Sequence, residues 1–349
     1  MDFKDVKDPF VCQKNFVTLY NNLFAIMKFH NNILHLPVAA AVAAMLTLSL
    51  TASSSTPPQQ PAADFSRVAN PRVPSSLTLC GKKIDLDRAD MFERYDRELT
   101  SLIYTHGNTL LAIKRANRYF PRLAPILKQN GVPSDLLYLA VTESQLNPRA
   151  VSSAKAAGLW QFMPSTAREY GLEVSDEVDE RYNIEKATAA ACRFFKKALA
   201  RYGGRWTSVM ASYNAGMARI SNSLNDQLAS DALDLWLVEE TQRYPFRVMA
   251  YKTIMENPGA YGFTLTTDQL YWPREVTEVT VDGPVASWPE WARSHGISYY
   301  TLREENPWIR SSKLTNKAGK SYTVRVPKPE SLSRSKAAKP VFNTKWVGK

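Results

Sequence analysis

The chain has 349 residues, 44% of them hydrophobic and 22% charged, and a formal net charge of +11. That length is enough for a substantial core and suggests two domains or one large one with an appendage; three cysteines are too few for a disulfide framework. The positive charge sits at one end, since residues 303–349 carry twelve Lys or Arg against three Glu. No nucleic-acid motif accompanies it, which leaves an acidic polymer or a plain solvated tail as its reading.

Taken in chain order, Lys28 and His30 precede a short apolar run, Leu36 to Leu50, which passes into the small residues 51–55. This is the pattern of a secretory signal in residues 1–55, with Met27 placed as a possible true start. The run is shorter than the roughly 20 apolar residues of a membrane span, so an uncleaved signal acting as a tether is the alternative reading. No Cys closely follows the run, so the chain is not an evident lipoprotein. Export implies a periplasmic or cell-envelope location. Residues 56–72, with Pro57, Pro58 and Pro61, predict an extended linker. Cys80 and Cys192 remain in the mature chain, where one disulfide or a buried free thiol at Cys192 are both open.

Folding is expected from Val73. Met91, Tyr95, Leu99 and Leu102, then Leu110, Ile113 and Ala116, predict a helical preface. Further helices are expected at residues 164–171, 185–202 and 205–213, and from Asp231 to Met255 with a break around Pro245. Strand signals are scarce between Val73 and Gly259, which predicts an all-helical part there.

Inside that part, Pro133-Ser134-Asp135 starts a helix that places Leu136, Leu139, Ala140 and Glu143 at i, i+3, i+4 and i+7. Glu143 therefore emerges at the helix end on the buried face. Partial burial raises a carboxyl pKa and suits an acid that must hold its proton near neutral pH. A buried glutamate satisfied by an Arg or a backbone donor fits the same position.

The C-terminal part changes character: residues 275–281 alternate as a strand, 289–295 and 301–307 predict two short helices, and 321–327 a closing strand. Residues 331–349 are expected as a flexible basic tail. The His and Cys residues show no metal-ligand spacing, so no metal or cofactor is implied.

Glu143-Ser144, Ser152, the Gly158 to Pro164 block, Ser212 to Gly216 and Glu239 to Tyr244 occur in an order that resembles the lysozyme-like SLT domain of lytic murein transglycosylases, most nearly the membrane-bound transglycosylase D group. The likeness runs from about Val73 to Phe263. It implies a mainly α protein, with a lysozyme-like all-helical catalytic domain over 73–263. The βααβ pattern of residues 272–330 resembles a degenerate LysM module, a small α+β unit of a kind that binds N-acetylated sugar chains. The usual Gly-Asp-Thr after its first strand is absent; Asp282-Gly283-Pro284 stands near its place.

The resemblance implies that Glu143 protonates the glycosidic oxygen of peptidoglycan glycan strands, then takes the proton of the muramoyl 6-hydroxyl to leave a 1,6-anhydro end. No second protein carboxylate is needed, unlike the paired acids of ordinary glycosidases. By motif position Ser152, Gln161 and Met163 line the groove, Tyr213 and Asn214 bracket the carboxylate, and Glu240 and Tyr244 support the wall or contact the stem peptide. Trp160 is assigned to the core. Lys155 replaces a Gly common in the family, which implies a locally different loop. A hydrolytic muramidase with Glu240 as its second carboxylate, and a non-catalytic wall-binding protein, are the alternatives. Protein partners are not indicated.

Overall fold

Met91, Tyr95, Leu99 and Leu102 fall on one face of helix α1 (Ala89–Tyr104), and all four are buried. The computed structural model describes residues 70–348, so the expected signal and all but the last three residues of the expected linker lie outside the described residues. Helix α2 (His106–Gln129) follows α1 directly and buries Ala112, Ile113, Ala116, Phe120 and Leu123. A short 3-10 turn, Ser134–Leu136, then feeds the eight-residue helix α3 (Leu137–Ser144). The remaining helices of this part are α4 (Pro164–Glu169), α5 (Ile184–Arg201), α6 (Trp206–Ala215), α7 (Met217–Asp226) and α8 (Glu239–Glu256). A contiguous core joins α1, α2, α3, α5, α6 and α8.

The expectation of an all-helical part from Val73 to Gly259 is corrected by a hairpin ahead of α1. Strands β1 (Ser76–Leu79) and β2 (Lys82–Asp85) pair antiparallel with Leu77 opposite Ile84. Their two-residue turn has φ of 50° at Cys80 and 78° at Gly81. Positive φ at both positions matches the twist of a tight hairpin, and Gly supplies one of them without strain. The Cys80 amide also donates to Asp135 Oδ2 at 2.6 Å, tying the turn to the start of the α3 segment. The Cys80 and Cys192 thiols are both free.

The break expected at Pro245 is also corrected. Helix α8 runs through it without interruption, whereas residues 231–238 hold only a short 3-10 turn, Ala232–Asp234. A proline inside a helix costs about 3 kcal/mol through its lost N–H bond and its ring clash. Burial of Phe246, Val248, Met249, Tyr251, Ile254 and Met255 on the same helix outweighs that cost.

The C-terminal module consists of β3 (Val276–Val281), α9 (Trp288–Ser294), α10 (Tyr299–Glu305) and β4 (Tyr322–Pro327), with β3 and β4 antiparallel. The fold is mainly α with this small α+β module. Its core of Trp288, Leu302, Trp308, Ile309 and Val324 continues into Ala157, Val178 and Tyr182 of the helical part. Main-chain bonds from Asp179 N to Trp308 O and from Arg310 N to Glu177 O, both 2.9 Å, seal the junction.

The flexible tail expected at 331–349 is corrected over its described residues. After the short helix α11 (Pro329–Leu332) the chain returns to α2. The Asn117 side chain, itself buried, donates to Pro340 O at 2.9 Å and accepts from the Phe342 amide at 2.8 Å. Trp346 is buried, packs edge-on against Phe120 and donates its indole N–H to Met255 O at 2.6 Å. The basic composition of the segment conceals the Trp346 anchor and the main-chain bonds to Asn117. Trp346→Ala is expected to lower the unfolding free energy of the chain by about 3–5 kcal/mol, the usual cost of emptying a buried Trp site. Urea unfolding checks it, and an unchanged midpoint is the contrary result.

Candidate active site

Helix α3 ends where Gln145 and Leu146 both adopt left-handed backbone, with φ of 50° and 56°. Two such residues in succession turn the chain sharply and leave Glu143 on the last turn, beside α8. Leu136, Leu139 and Ala140, on the same face, are fully buried. Glu143 itself is partly buried.

The Tyr244 hydroxyl donates a hydrogen bond to Glu143 Oε1. Three residues on α8 act on this carboxyl at i, i+4 and i+7: Glu240, Tyr244 and Arg247. Burial raises the Glu143 pKa above the ordinary carboxylate value, to about 7. The Tyr244 hydrogen bond and the Arg247 charge pull it down, while the Glu240 charge pushes it up. Tyr213, from α6, also lies in the field of Glu143, and burial followed by that negative charge holds its phenol well above the usual range. Tyr244 is raised in the same way. Both phenols therefore act as neutral hydrogen-bond donors.

The other residues singled out in the sequence are distributed around this centre. Tyr213 donates to Trp160 O at 2.7 Å. Asn214 joins the ends of two helices, accepting from Thr241 Oγ1 at 2.8 Å and donating to Glu240 Oε1 at 3.4 Å. Ser152 is occupied within its own loop, where its hydroxyl accepts from the Ala156 amide at 3.0 Å. Gln161 likewise donates its Nε2 to Ala150 O at 3.2 Å and Gly158 O at 2.8 Å, so this amide braces the loop. Met163 is exposed. Trp160 is fully buried with its indole N–H on Thr188 Oγ1, in the core position expected of it. Lys155 keeps left-handed backbone at φ 69°, the conformation a Gly takes without cost.

Two further groups matter here. Glu98, on the buried stripe of α1 between Tyr95 and Leu99, is 1% exposed and binds Arg243 Nε at 2.5 Å and Arg247 Nε at 2.9 Å on separate oxygens. It balances the cation that faces Glu143. The pattern that singled out Glu143, a carboxylate on an apolar face, also marks Glu98. Arg181, buried, pairs with Asp179 and donates to Lys155 O at 2.7 Å and Phe162 O at 3.2 Å, clamping both ends of the 155–162 loop. Gly158 lies under this clamp, where a Cβ would come within 2.0 Å of Arg181 O. Among the described residues no cluster of His, Cys, Asp and Glu has the geometry to hold a metal ion.

The Glu143 shift has a signed consequence for stability. Below about pH 4.5 the carboxyl is protonated in folded and unfolded chains alike and contributes nothing. As pH rises towards 7 the folded chain retains a proton that the unfolded chain has lost, so stability falls, and above 7 the full cost is present. Glu143→Gln is thus expected to stabilise the fold at pH 8 by up to about 3 kcal/mol, less where groove water screens the charge, and to change little at pH 4. Thermal melts at the two pH values test it; equal effects at both would contradict a raised pKa.

A second expectation concerns the groups around the carboxyl. Tyr244→Phe removes a hydrogen bond to the charged form and should move the Glu143 titration to higher pH. Glu98→Gln leaves Arg247 less neutralised and should move it lower. Carbon-13 shifts of the Glu143 carboxyl report both, and shifts in one common direction would contradict the arrangement.

Residues 123–234 match the family described as the Transglycosylase SLT domain, and residues 277–330 match the Soluble lytic transglycosylase C-terminal LysM-like domain. Membrane-bound lytic murein transglycosylase D of Escherichia coli (strain K12) is 32% identical over 241 residues, 68% of this chain and 51% of that protein. Peptidoglycan transglycosylase gp16 of Escherichia phage T7 is 37% identical over 95 residues, 27% of this chain and 7% of that protein. Among solved structures, the 70 kDa soluble lytic transglycosylase of Escherichia coli shares 21% identity at a TM-score of 0.33, covering 38% of this chain and 24% of that one. The chain spans about half the length of the first of these relatives.

Proposed function

We propose that this chain, which carries an SLT transglycosylase domain at residues 123–234 and a LysM-like domain at 277–330, is a lytic transglycosylase of peptidoglycan. The observation that carries the reading is Glu143, a partly buried carboxyl with a pKa near 7 beside a neutral tyrosine donor. Such a group is protonated often enough at neutral pH to act as an acid and is basic enough, once ionised, to take a proton back.

Glu143 would give its proton to the oxygen linking N-acetylmuramic acid to N-acetylglucosamine as that bond breaks. The resulting carboxylate would then accept the proton of the muramoyl 6-hydroxyl as its oxygen closes on C1, leaving a 1,6-anhydro end. Tyr244, by donating to Oε1, fixes the carboxyl rotamer through both steps and leaves Oε2 for the proton. Arg247 steadies the carboxylate formed in the first step, and Glu98 holds that guanidinium in place. On this reading Tyr213 and Asn214 would bracket the carboxylate, and Ser152, Gln161 and Met163 would lie on the loop that borders the groove.

The expected export signal and the relative named as membrane-bound support a place in the cell envelope. Among the described residues no helix is long and apolar enough to cross a membrane. One observation favours a hydrolytic muramidase as the second reading: Glu240 lies close enough for its charge to raise Glu143, and it is exposed to the water such a mechanism consumes.

Digestion of purified peptidoglycan with the chain from residue 70 onward, followed by mass analysis of soluble muropeptides, separates the two. Products one water lighter than hydrolytic fragments are expected. Glu143→Gln is expected to reduce their release by at least about 10³-fold. Hydrated reducing ends would establish the muramidase, and no release from the wild-type chain would overturn both readings.

A further inference from the structure

Arg115 and Arg118 of α2, Arg149 of the loop after α3, and Arg274 of the connection to the C-terminal module line one cleft of about 170 Å³, together with Asn147, Tyr271, Glu304 and Glu305. The charges in this cleft are unevenly compensated. Arg274 is paired with Glu304 at 2.7 Å and Glu305 at 3.2 Å, and Glu305 also faces Arg122 at 3.7 Å. Arg115, Arg118 and Arg149 form no ion pair with any carboxylate among the described residues. Arg115 donates to Gln145 O and Arg118 to Trp272 O, both at 3.2 Å, so each is anchored by a carbonyl with further N–H groups to spare. The Arg149 side chain has no hydrogen-bond partner among the described residues.

Guanidinium groups fixed by neutral partners around a recess are an arrangement for a planar anion, because the N–H fork matches a carboxylate in geometry and gains most where water is partly excluded. The cleft is also close to Glu143. Asn147 follows it by four residues, so their Cα atoms are at most about 14 Å apart. An extended peptide covers that distance in roughly four residues.

We propose that this cleft binds a carboxylate of a short acidic peptide attached to the sugar held at Glu143, an inference that rests on the peptidoglycan reading of the groove. The cleft is completed only when the C-terminal module is docked, because Glu304 and Glu305 of α10 form one wall and hold Arg274 in it. The module's role here is to build a peptide subsite rather than to bind sugar. The chain is thereby selective for peptide-bearing glycan over glycan stripped of its peptides.

Calorimetric titration of the full chain tests this without turnover. The probes are a GlcNAc–MurNAc disaccharide carrying a four-residue peptide that ends in glutamate, long enough to span that distance, the same molecule with its carboxylates converted to carboxamides, and inorganic phosphate. The acid form is expected to bind about tenfold to a hundredfold more tightly than the carboxamide form, the range for one or two charge-assisted hydrogen bonds. Arg149→Gln and Arg115→Gln are each expected to narrow that gap while leaving affinity for the carboxamide form unchanged. Arg149 is exposed, so its variant keeps the fold should the Arg115 variant lose it. Equal binding of acid and carboxamide forms, or a gap that survives Arg149→Gln in a folded protein, would overturn the proposal. Phosphate binding more tightly than the peptide acid would overturn it as well, by assigning the cleft to a phosphorylated ligand. The anhydro-product assay succeeds or fails independently of these titrations, so failure of the cleft and failure of the enzymatic reading are told apart.

Discussion

A carboxyl group withdrawn from water at the end of a short helix is the constraint around which the helical part is arranged. Helix α3 has eight residues, too few to be stable alone, and exists because its apolar face packs against α2 and α8. Its last turn then has to bring a glutamate beside α8 without exposing the core behind it. Gln145 and Leu146 accomplish this by turning left-handed, at the strain that non-glycine residues accept there. The surroundings of Glu143 follow from the same demand. A neutral tyrosine donates to it, and the nearest cation, Arg247, is held by a second buried carboxylate. Burial dominates the resulting balance, with the tyrosine and Arg247 favouring the charged form and Glu240 opposing it.

The loop from Ser152 to Met163 connects this centre to the C-terminal module through one chain of bonds. Arg181 clamps the loop at Lys155 O and Phe162 O, Asp179 neutralises Arg181, and the Asp179 amide donates to Trp308 O in the module. Gly158 lies beneath the clamp, where no side chain fits, and Gln161 braces the loop from within by bonding Ala150 O and Gly158 O. The loop is thus braced by side-chain bonds to its backbone from two sides. Interactions of the module with residues 173–182 therefore reach the loop beside Glu143 through the same bonds, in addition to the module's own stability.

The features legible in the sequence were those written in local periodicity. The apolar stripe of α1, the helix that delivers Glu143 and the alternation of β3 and β4 all repeat at intervals set by the element itself, and each lies where the pattern placed it. The hairpin of β1 and β2 was missed because its turn uses Cys80 in a left-handed conformation in place of the usual Asn or Asp. Pro245 misled for the opposite reason. A strong local signal was overridden by burial of most of the helix that contains it. In the site, Tyr244 and Glu240 were found through the motif, whereas Arg247 and Glu98 went unnoticed. Their importance lies in a contact spanning about 150 residues, which no local pattern records.

The charge distribution makes the same point at a larger scale. An excess of Lys and Arg over the last 47 residues looks like a solvated basic tail when counted along the chain. In three dimensions part of that charge is used against the rest of the protein: Lys320 pairs with Glu173, Arg325 with Glu185 and Lys339 with Asp268, while Arg310 stacks on Tyr182. These residues of the terminal segment thus help to hold it against the preceding part of the chain. The guanidiniums left without a carboxylate at the module junction, Arg115, Arg118 and Arg149, lie on the helical part instead, beside the segment that follows Glu143. A composition count cannot separate charge used in folding from charge left over for a ligand.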